Sequence, residues 1–195
     1  MEKDRQENEN GVRYERLCRN NFNTHSLDGF VRHQVIHESW RETDGQWKLV
    51  PNEFEENWSV DMCREIAEDV ERHMETDQSA FGAFADGKVV GFITVSHHLF
   101  GTAARYAELV CFQVSEPYRG WEIGRGLFAL AVEEMAAIGA DRLYISAHSS
   151  KESQAAYRAL GYTHAEEINQ SLAEKEPFDV QLEYKNDLTF SKMRI

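Results

Sequence analysis

The chain is short of positive charge: 21 lysines and arginines stand against 34 aspartates and glutamates, a formal net charge of -13 over 195 residues. Nucleic acid and anionic membrane surfaces both require a basic footprint, so neither is expected as a partner, and cationic ligands are mildly favoured. Cysteine is scarce too. Cys18, Cys63 and Cys111 are odd in number and lack C-x-x-C spacing, which argues against a disulfide framework or a zinc knuckle and for a reducing compartment. No run of about 18 apolar residues occurs, and the opening MEKDRQENEN has no apolar signal core. Cytoplasm is therefore the expected location. There are no internal repeats or low-complexity tracts, and 22.5 kDa suffices for one domain with a full core.

The composition that remains, 42% hydrophobic and 11% aromatic, is that of a folded chain. Residues 1–11 are expected to form a disordered leader, followed by a single domain over 12–195. Tyr14, Arg16 and Cys18 alternate weakly as a first strand. Asp44-Gly45 and Asp86-Gly87 each separate two strand-like runs, the strongest short-range hairpin signal. Ser59 can cap a helix with an apolar stripe at Met62, Ile66, Val70 and Met74. Trp40, Trp47, Phe54 and Trp58 crowd the same region, about 33–78, either as a local core under that helix, as a ligand-lining wall or as a protein-protein surface. Beyond a third strand in RYAELVCFQVS, helix and strand alternate: a helix over 124–138 stopped by Gly139, a strand over 142–147, a helix over 150–160 stopped by Gly161, then strands near 162–168 and 178–184. The pattern predicts an α/β fold with a mixed sheet flanked by helices.

The stretch YRGWEIGRGLF, from Tyr118 to Phe128, lies between the third strand and a helix. Gly120, Gly124 and Gly126 free the backbone to turn its N–H groups onto a ligand, while the helix start, Arg119 and Arg125 add positive charge. A phosphate is the natural guest. The spacing matches neither a P-loop nor a dinucleotide fingerprint.

Read in register, Arg119, Gly120, Trp121, Glu122, Ile123 and Gly124 resemble motif A of the GNAT acetyltransferases, R/Q-x-x-G-x-G/A, with a Val-x-x-Pro approach in Val114 to Pro117. A later helix ending AAYRALGY, Ala155 to Tyr162, resembles a second family feature. The likeness covers roughly residues 81–185 and implies the GNAT-type fold, a mostly antiparallel central sheet flanked by helices, with the Trp-rich region as an elaboration. It implies acetyl-CoA as co-substrate, with no metal. The loop Arg119, Gly120, Trp121, Glu122, Ile123, Gly124 and Arg125 would hold the pyrophosphate, and Phe112, Gln113 and Val114 the thioester and pantetheine arm like an added strand.

The resemblance further implies Tyr157 as general acid to the thiolate, also touching the cofactor, and Ser150, two helical turns earlier, as a cofactor contact or merely an N-cap. It implies Glu108 as the base that deprotonates an acceptor amine, with His148 as an alternative. His97 and His98, adjacent on a strand, point to opposite faces and make a poor metal site. Cys111 is expected in the core. Glu122 replaces the motif's middle glycine, so its carboxylate must turn to solvent or to an arginine, and a positive φ there would be strained. The expected activity is N-acetyl transfer to a primary amine of a small molecule or peptide in a ternary complex, the rival being a non-catalytic acyl-CoA-binding module. The state of assembly is open, a homodimer included.

Overall fold

A computed structural model describes residues 6–7 and 10–185. The elements in chain order are β1 (Gln6–Glu7), β2 (Arg13–Arg16), β3 (His33–Thr43), β4 (Gln46–Asn57), α1 (Val60–His73), β5 (Gln78–Ala85), β6 (Lys88–Ser96), β7 (Tyr106–Val114), α2 (Ile123–Ala137), β8 (Arg142–Ala147), α3 (Lys151–Ala159), β9 (Thr163–His164), α4 (Gln170–Lys175) and β10 (Val180–Lys185). Within the leader expected to be unstructured, Gln6–Glu7 instead pairs with Arg13–Tyr14. Residues 1–5, 8 and 9 lie outside the described residues.

The chain divides into two compact units, and β7 runs through both. Of the described residues, the first unit holds 6–7, 10–34, 56–98 and 109–134. Its strands follow the order β1-β2-β5-β6-β7, all antiparallel. Asp86 (φ 50°) and Gly87 (φ 74°) turn β5 into β6 as the Asp-Gly signal requires. Helix α1 is capped by the Ser59 hydroxyl, which accepts from the Met62 N–H at 3.2 Å. Of the expected stripe Val70 and the C-cap Met74 are buried and Ile66 packs partly on the core, but Cys63 and Ala67 complete the buried face and Met62 is left 43% exposed. The buried face packs on Leu17, Phe22, Phe30, Phe84 and Phe92, and Trp58 lies against Phe30 with ring centroids 6.2 Å apart. Burying each such side chain contributes about 1.5–3 kcal/mol, so the core decides the helix phase.

Two features of β7 place the functional loop. Opposite β6 the register jumps between Thr94 and Val95, so Val110 is an extra residue, and the Cys111 N–H donates to the Thr94 hydroxyl at 3.1 Å instead of to a ladder carbonyl. Such a bulge bends the strand. Along the other side, parallel pairing with β8 covers only Tyr106 to Glu108.

Of the described residues, the second unit holds 35–55, 99–108 and 135–185, with strand order β7-β8-β10-β9 and the separate hairpin β3–β4. Asp44 (φ 51°) and Gly45 (φ 73°) form the hairpin turn. The hairpin is tied down where β8 ends: the Trp40 N–H donates to the Ser149 carbonyl at 2.8 Å, and Ser39 bridges Ser150. The strand expected over 162–168 shrinks to Thr163–His164, and 170–175 forms α4, capped by Asn169.

The three pairs joining β7 to β8 are locked by buried charge. Glu183, fully buried, accepts from the Tyr106 hydroxyl at 2.7 Å and from Arg142 at 2.8 Å, and Arg142 also reaches Glu166 at 2.7 Å. Burial works against the Glu183 carboxylate, but hydrogen bonds from Tyr106, the Glu166 N–H and Arg142 prevail and leave its pKa below the ordinary value. The Tyr106 hydroxyl is pushed up to about 12 by burial and by Glu183. A depressed carboxylate stabilises the fold above its unfolded pKa, and that contribution is lost as pH falls through the folded value. Glu183→Gln is therefore expected to lower stability by about 3 kcal/mol at neutral pH. The gap to wild type in urea denaturation should close as pH drops below the ordinary glutamate range. A gap constant with pH would assign the loss to packing instead.

Candidate active site

In the first unit the bulged β7 leads through a short 3-10 turn, Glu116–Tyr118, into the glycine-rich loop and α2. Along Leu109–Val114 the strand pairs with β6 on one side, and no strand pairs with it on the other among the described residues. Phe112, Gln113 and Val114 lie in this stretch. A sheet edge of this kind accepts an extended, amide-bearing molecule as an added strand.

The loop's glycines do different work. Gly120 takes φ 84°, and a Cβ there would meet nothing, so the turn alone demands glycine. At Gly124 a Cβ would stand 3.6 Å from the Phe112 ring, an ordinary contact. At Gly126 it would run into the Tyr14 ring and hydroxyl, so this glycine lets α2 approach β2. Ile123 is 1% exposed, and its side chain would sit 2.9 Å from a Cβ on Gly91. Only its backbone is left to serve a ligand.

Glu122 sits at φ 59°, alongside two turn aspartates as the non-glycine residues with positive φ among those described. Its carboxylate turns to the Arg125 Nε at 2.8 Å and is 72% exposed. The side chain faces outward as expected, and the positive φ that strains a glutamate is found here. Ahead of the first turn of α2, that geometry leaves the amides of Ile123, Gly124 and Arg125 at the positive end of the helix. Trp121 packs edge-on to Tyr118 at 5.3 Å. The Arg119 Nε reaches the Val114 carbonyl at 3.4 Å, and desolvation and then Arg32 lower its pKa, opposed by Glu116. Loop, helix start and strand edge together fit a pyrophosphate joined to an extended amide chain.

The second unit holds Glu108, Ser150 and Tyr157. Burial raises the Glu108 pKa, opposed by Lys175, which makes its carboxylate a stronger base than an exposed one. The Tyr157 ring lies edge-on to Tyr162 at 5.4 Å. The Ser150 hydroxyl caps α3, accepting from the Ser153 N–H at 3.2 Å, and is fully buried. His148 accepts from the Ser150 N–H at 3.2 Å.

No group of three metal-ligating side chains occurs among the described residues. His97 Nε2 faces the Ser79 hydroxyl at 2.7 Å, but Glu134 approaches that same nitrogen at 3.7 Å, so the three do not form a relay. Cys111 is only partly buried, packed against the core of the first unit, and burial pushes its thiol up to about 12, which does not suit a nucleophile. Sequence reasoning missed the division of the tryptophans: Trp58 belongs to the core of the first unit, whereas Trp40 and Trp47 line a cavity in the second.

A left-handed non-glycine residue costs about 1–2 kcal/mol, and an exposed ion pair returns less than about 1 kcal/mol. Glu122→Gly is therefore expected to raise the melting temperature by about 2 °C, part of the gain being offset by glycine's greater unfolded entropy. A fall in melting temperature would show that the pair with Arg125 outweighs the strain.

Comparison with known proteins agrees with the fold. A search of curated proteins finds no match. Among solved structures, nourseothricin acetyltransferase superposes with a TM-score of 0.66 at 19% identity, over 89% of this chain and 98% of that one. A Bacillus anthracis protein designated a streptothricin acetyltransferase, crystallised with acetyl coenzyme A, gives 0.61 at 13% identity over 88% and 95%. At such identities the likeness is one of fold. The model of the acetyltransferase (GNAT) family matches residues 35–162, and the chain belongs to that family.

Proposed function

We propose that the chain transfers the acetyl group of acetyl-CoA to a primary amine of a small molecule or peptide by direct attack in a ternary complex. The observation that carries this reading is the parting of β7 from β8 after Glu108, which opens a strand edge leading straight into a glycine-rich loop at the start of α2. Phe112, Gln113 and Val114 hold the pantetheine arm and orient the thioester. Gly120 to Arg125 receive the pyrophosphate, with Arg119 beside it. Ser150 acts through the cap that fixes the start of α3.

The reaction asks for a base and an acid. Glu108 takes a proton from the acceptor ammonium. The freed amine nitrogen bonds to the thioester carbonyl carbon, the C–S bond breaks, Tyr157 gives its proton to the departing thiolate, and the proton shed by the new amide nitrogen restores the Tyr157 hydroxyl. The net charge of -13 supports a cationic acceptor.

Acetyl-CoA at about 100 times its Kd is expected to add about 2.7 kcal/mol of stability. Gly124→Ala has room and should fold normally, whereas Gly124→Glu places a carboxylate against the pyrophosphate and should abolish the shift. A shift that survives Gly124→Glu would move the cofactor elsewhere. A shift without thiol release from any amine would leave an acyl-CoA-binding module and no enzyme.

Tyr157→Phe keeps the ring and its packing. A fall in kcat toward the low end of about 10² to 10⁴-fold is expected, because the thiol is itself a fair leaving group, with KM for acetyl-CoA little changed. A normally folded variant retaining more than about half its kcat would assign Tyr157 to packing.

A further inference from the structure

We infer that the adenine of acetyl-CoA lies on the indole of Trp121, so that the ring of this loop residue serves the base and only its backbone serves the pyrophosphate. This rests on the acetyl-CoA reading above and adds which part of the cofactor the aromatic pair of the loop selects.

The indole is held out from the core. Ser115 and Ile123 are buried at 3% and 1% exposure, whereas the chain from Arg119 to Glu122 is exposed throughout. Tryptophan buries more apolar area than almost any other side chain when it can, yet Trp121 leaves 40% of its surface in water. Its neighbours on both sides are left-handed, Gly120 at φ 84° and Glu122 at φ 59°. The chain thus turns sharply before and after a single residue, and the strain at Glu122 is of the kind that collects at ligand sites.

Tyr118 braces the ring. The two centroids lie 5.3 Å apart with the planes at 67°. In such a pair one ring meets the other with its edge, so at least one face of the indole is left uncovered by Tyr118. The Tyr118 N–H donates to the carbonyl of buried Ser115 at 2.9 Å, which fixes the brace to the interior. A surface fixed in this way is available to a ligand without further ordering.

Charge beside the indole is already balanced. Glu122 pairs with Arg125 at 2.8 Å, and the Arg119 Nε is directed back to the Val114 carbonyl at 3.4 Å. What the crest of the loop offers is a flat π surface, which suits an uncharged ring better than a phosphate. Adenine is that part of the cofactor, since it has no charge at neutral pH and every base has a face that stacks on an aromatic side chain.

The order of groups along the cofactor agrees. The pantetheine arm takes the strand edge at Phe112 to Val114 and the pyrophosphate takes the first amides of α2, so the adenosine continues from the pyrophosphate on the side away from the arm. In coenzyme A a single ribose joins pyrophosphate to base. Trp121 precedes Ile123, the first residue of α2, by two positions, which keeps their Cα atoms within about 8 Å. A ribose on one side and the length of an indole side chain on the other span that gap.

Calorimetric titration of the full chain tests this with coenzyme A and with 4′-phosphopantetheine, which keeps the arm and a phosphate, has no base, and is measured by its displacement of coenzyme A. Trp121→Ala is expected to weaken coenzyme A binding by about 10-fold, and Trp121→Phe, which keeps a ring, by less than about 3-fold. Phosphopantetheine should bind Trp121→Ala as it binds wild type, and the melting temperature of both ligand-free variants should stay within about 2 °C of wild type. A loss under about 3-fold in Trp121→Ala, or equal losses in the alanine and phenylalanine variants, would overturn the assignment. So would an equal loss for coenzyme A and phosphopantetheine, which would return the indole to the fold of the loop. Coenzyme A that fails to bind wild type would sink the acetyl-CoA reading itself, whereas binding that Gly124→Glu abolishes and Trp121→Ala leaves intact would confine the failure to the base.

Discussion

A single buried carboxylate governs where the central sheet stays closed. Glu183 is surrounded by the Tyr106 hydroxyl, the Arg142 guanidinium and the Glu166 N–H, and two of those residues, Tyr106 and Arg142, are direct neighbours across β7 and β8. Three residue pairs form a weak ladder alone, and a buried charge cluster tolerates little sliding, because a slip of one residue would strand an ion without its partner. The cluster thus clamps one end of the pairing, which lets the strand leave at the other end without loss of register.

What departs from β8 is then steered by the bulge. With Val110 extra and the Thr94 hydroxyl standing in for a ladder carbonyl, β7 bends while it keeps β6 as its neighbour. The next residues run directly into the loop and α2, whose first amides point along the helix axis. Clamp, bulge and helix start are three solutions to backbone hydrogen bonding, and between them they leave polar backbone groups facing a place where a substrate can lie.

Much of this was legible in the chain. Asp-Gly turns announce both hairpins because their backbone geometry is local, and the YRGWEIGRG stretch announces the loop for the same reason. Gly139 and Gly161 end their helices at φ 78° and 94°. Features set by distant partners were not legible. The helix after Ser59 turned its Cys63 stripe inward, not Met62, because the shape of the surrounding core chose the phase. Trp58 and Trp40 look alike in sequence, yet one fills the core beside Phe30 and the other carries Arg158 on its ring. The short helix at 170–175 has little periodicity to reveal it, and the Glu183 cluster joins residues 77 positions apart. Glu122 was half legible: the charge argument anticipated its direction, and φ had to be seen.

The glycines of the loop look interchangeable in the sequence, but they answer to different authorities. Gly120 answers to its own dihedral angle, Gly124 to whatever lies beyond the helix start, and Gly126 to Tyr14, far back in the chain. Their freedom to vary differs accordingly. Position 120 is constrained whatever its surroundings, and position 124 only while a ligand is required. Position 126 is bound to position 14, so a related chain with a small residue at 14 could carry alanine at 126, and the two sites would drift as a pair.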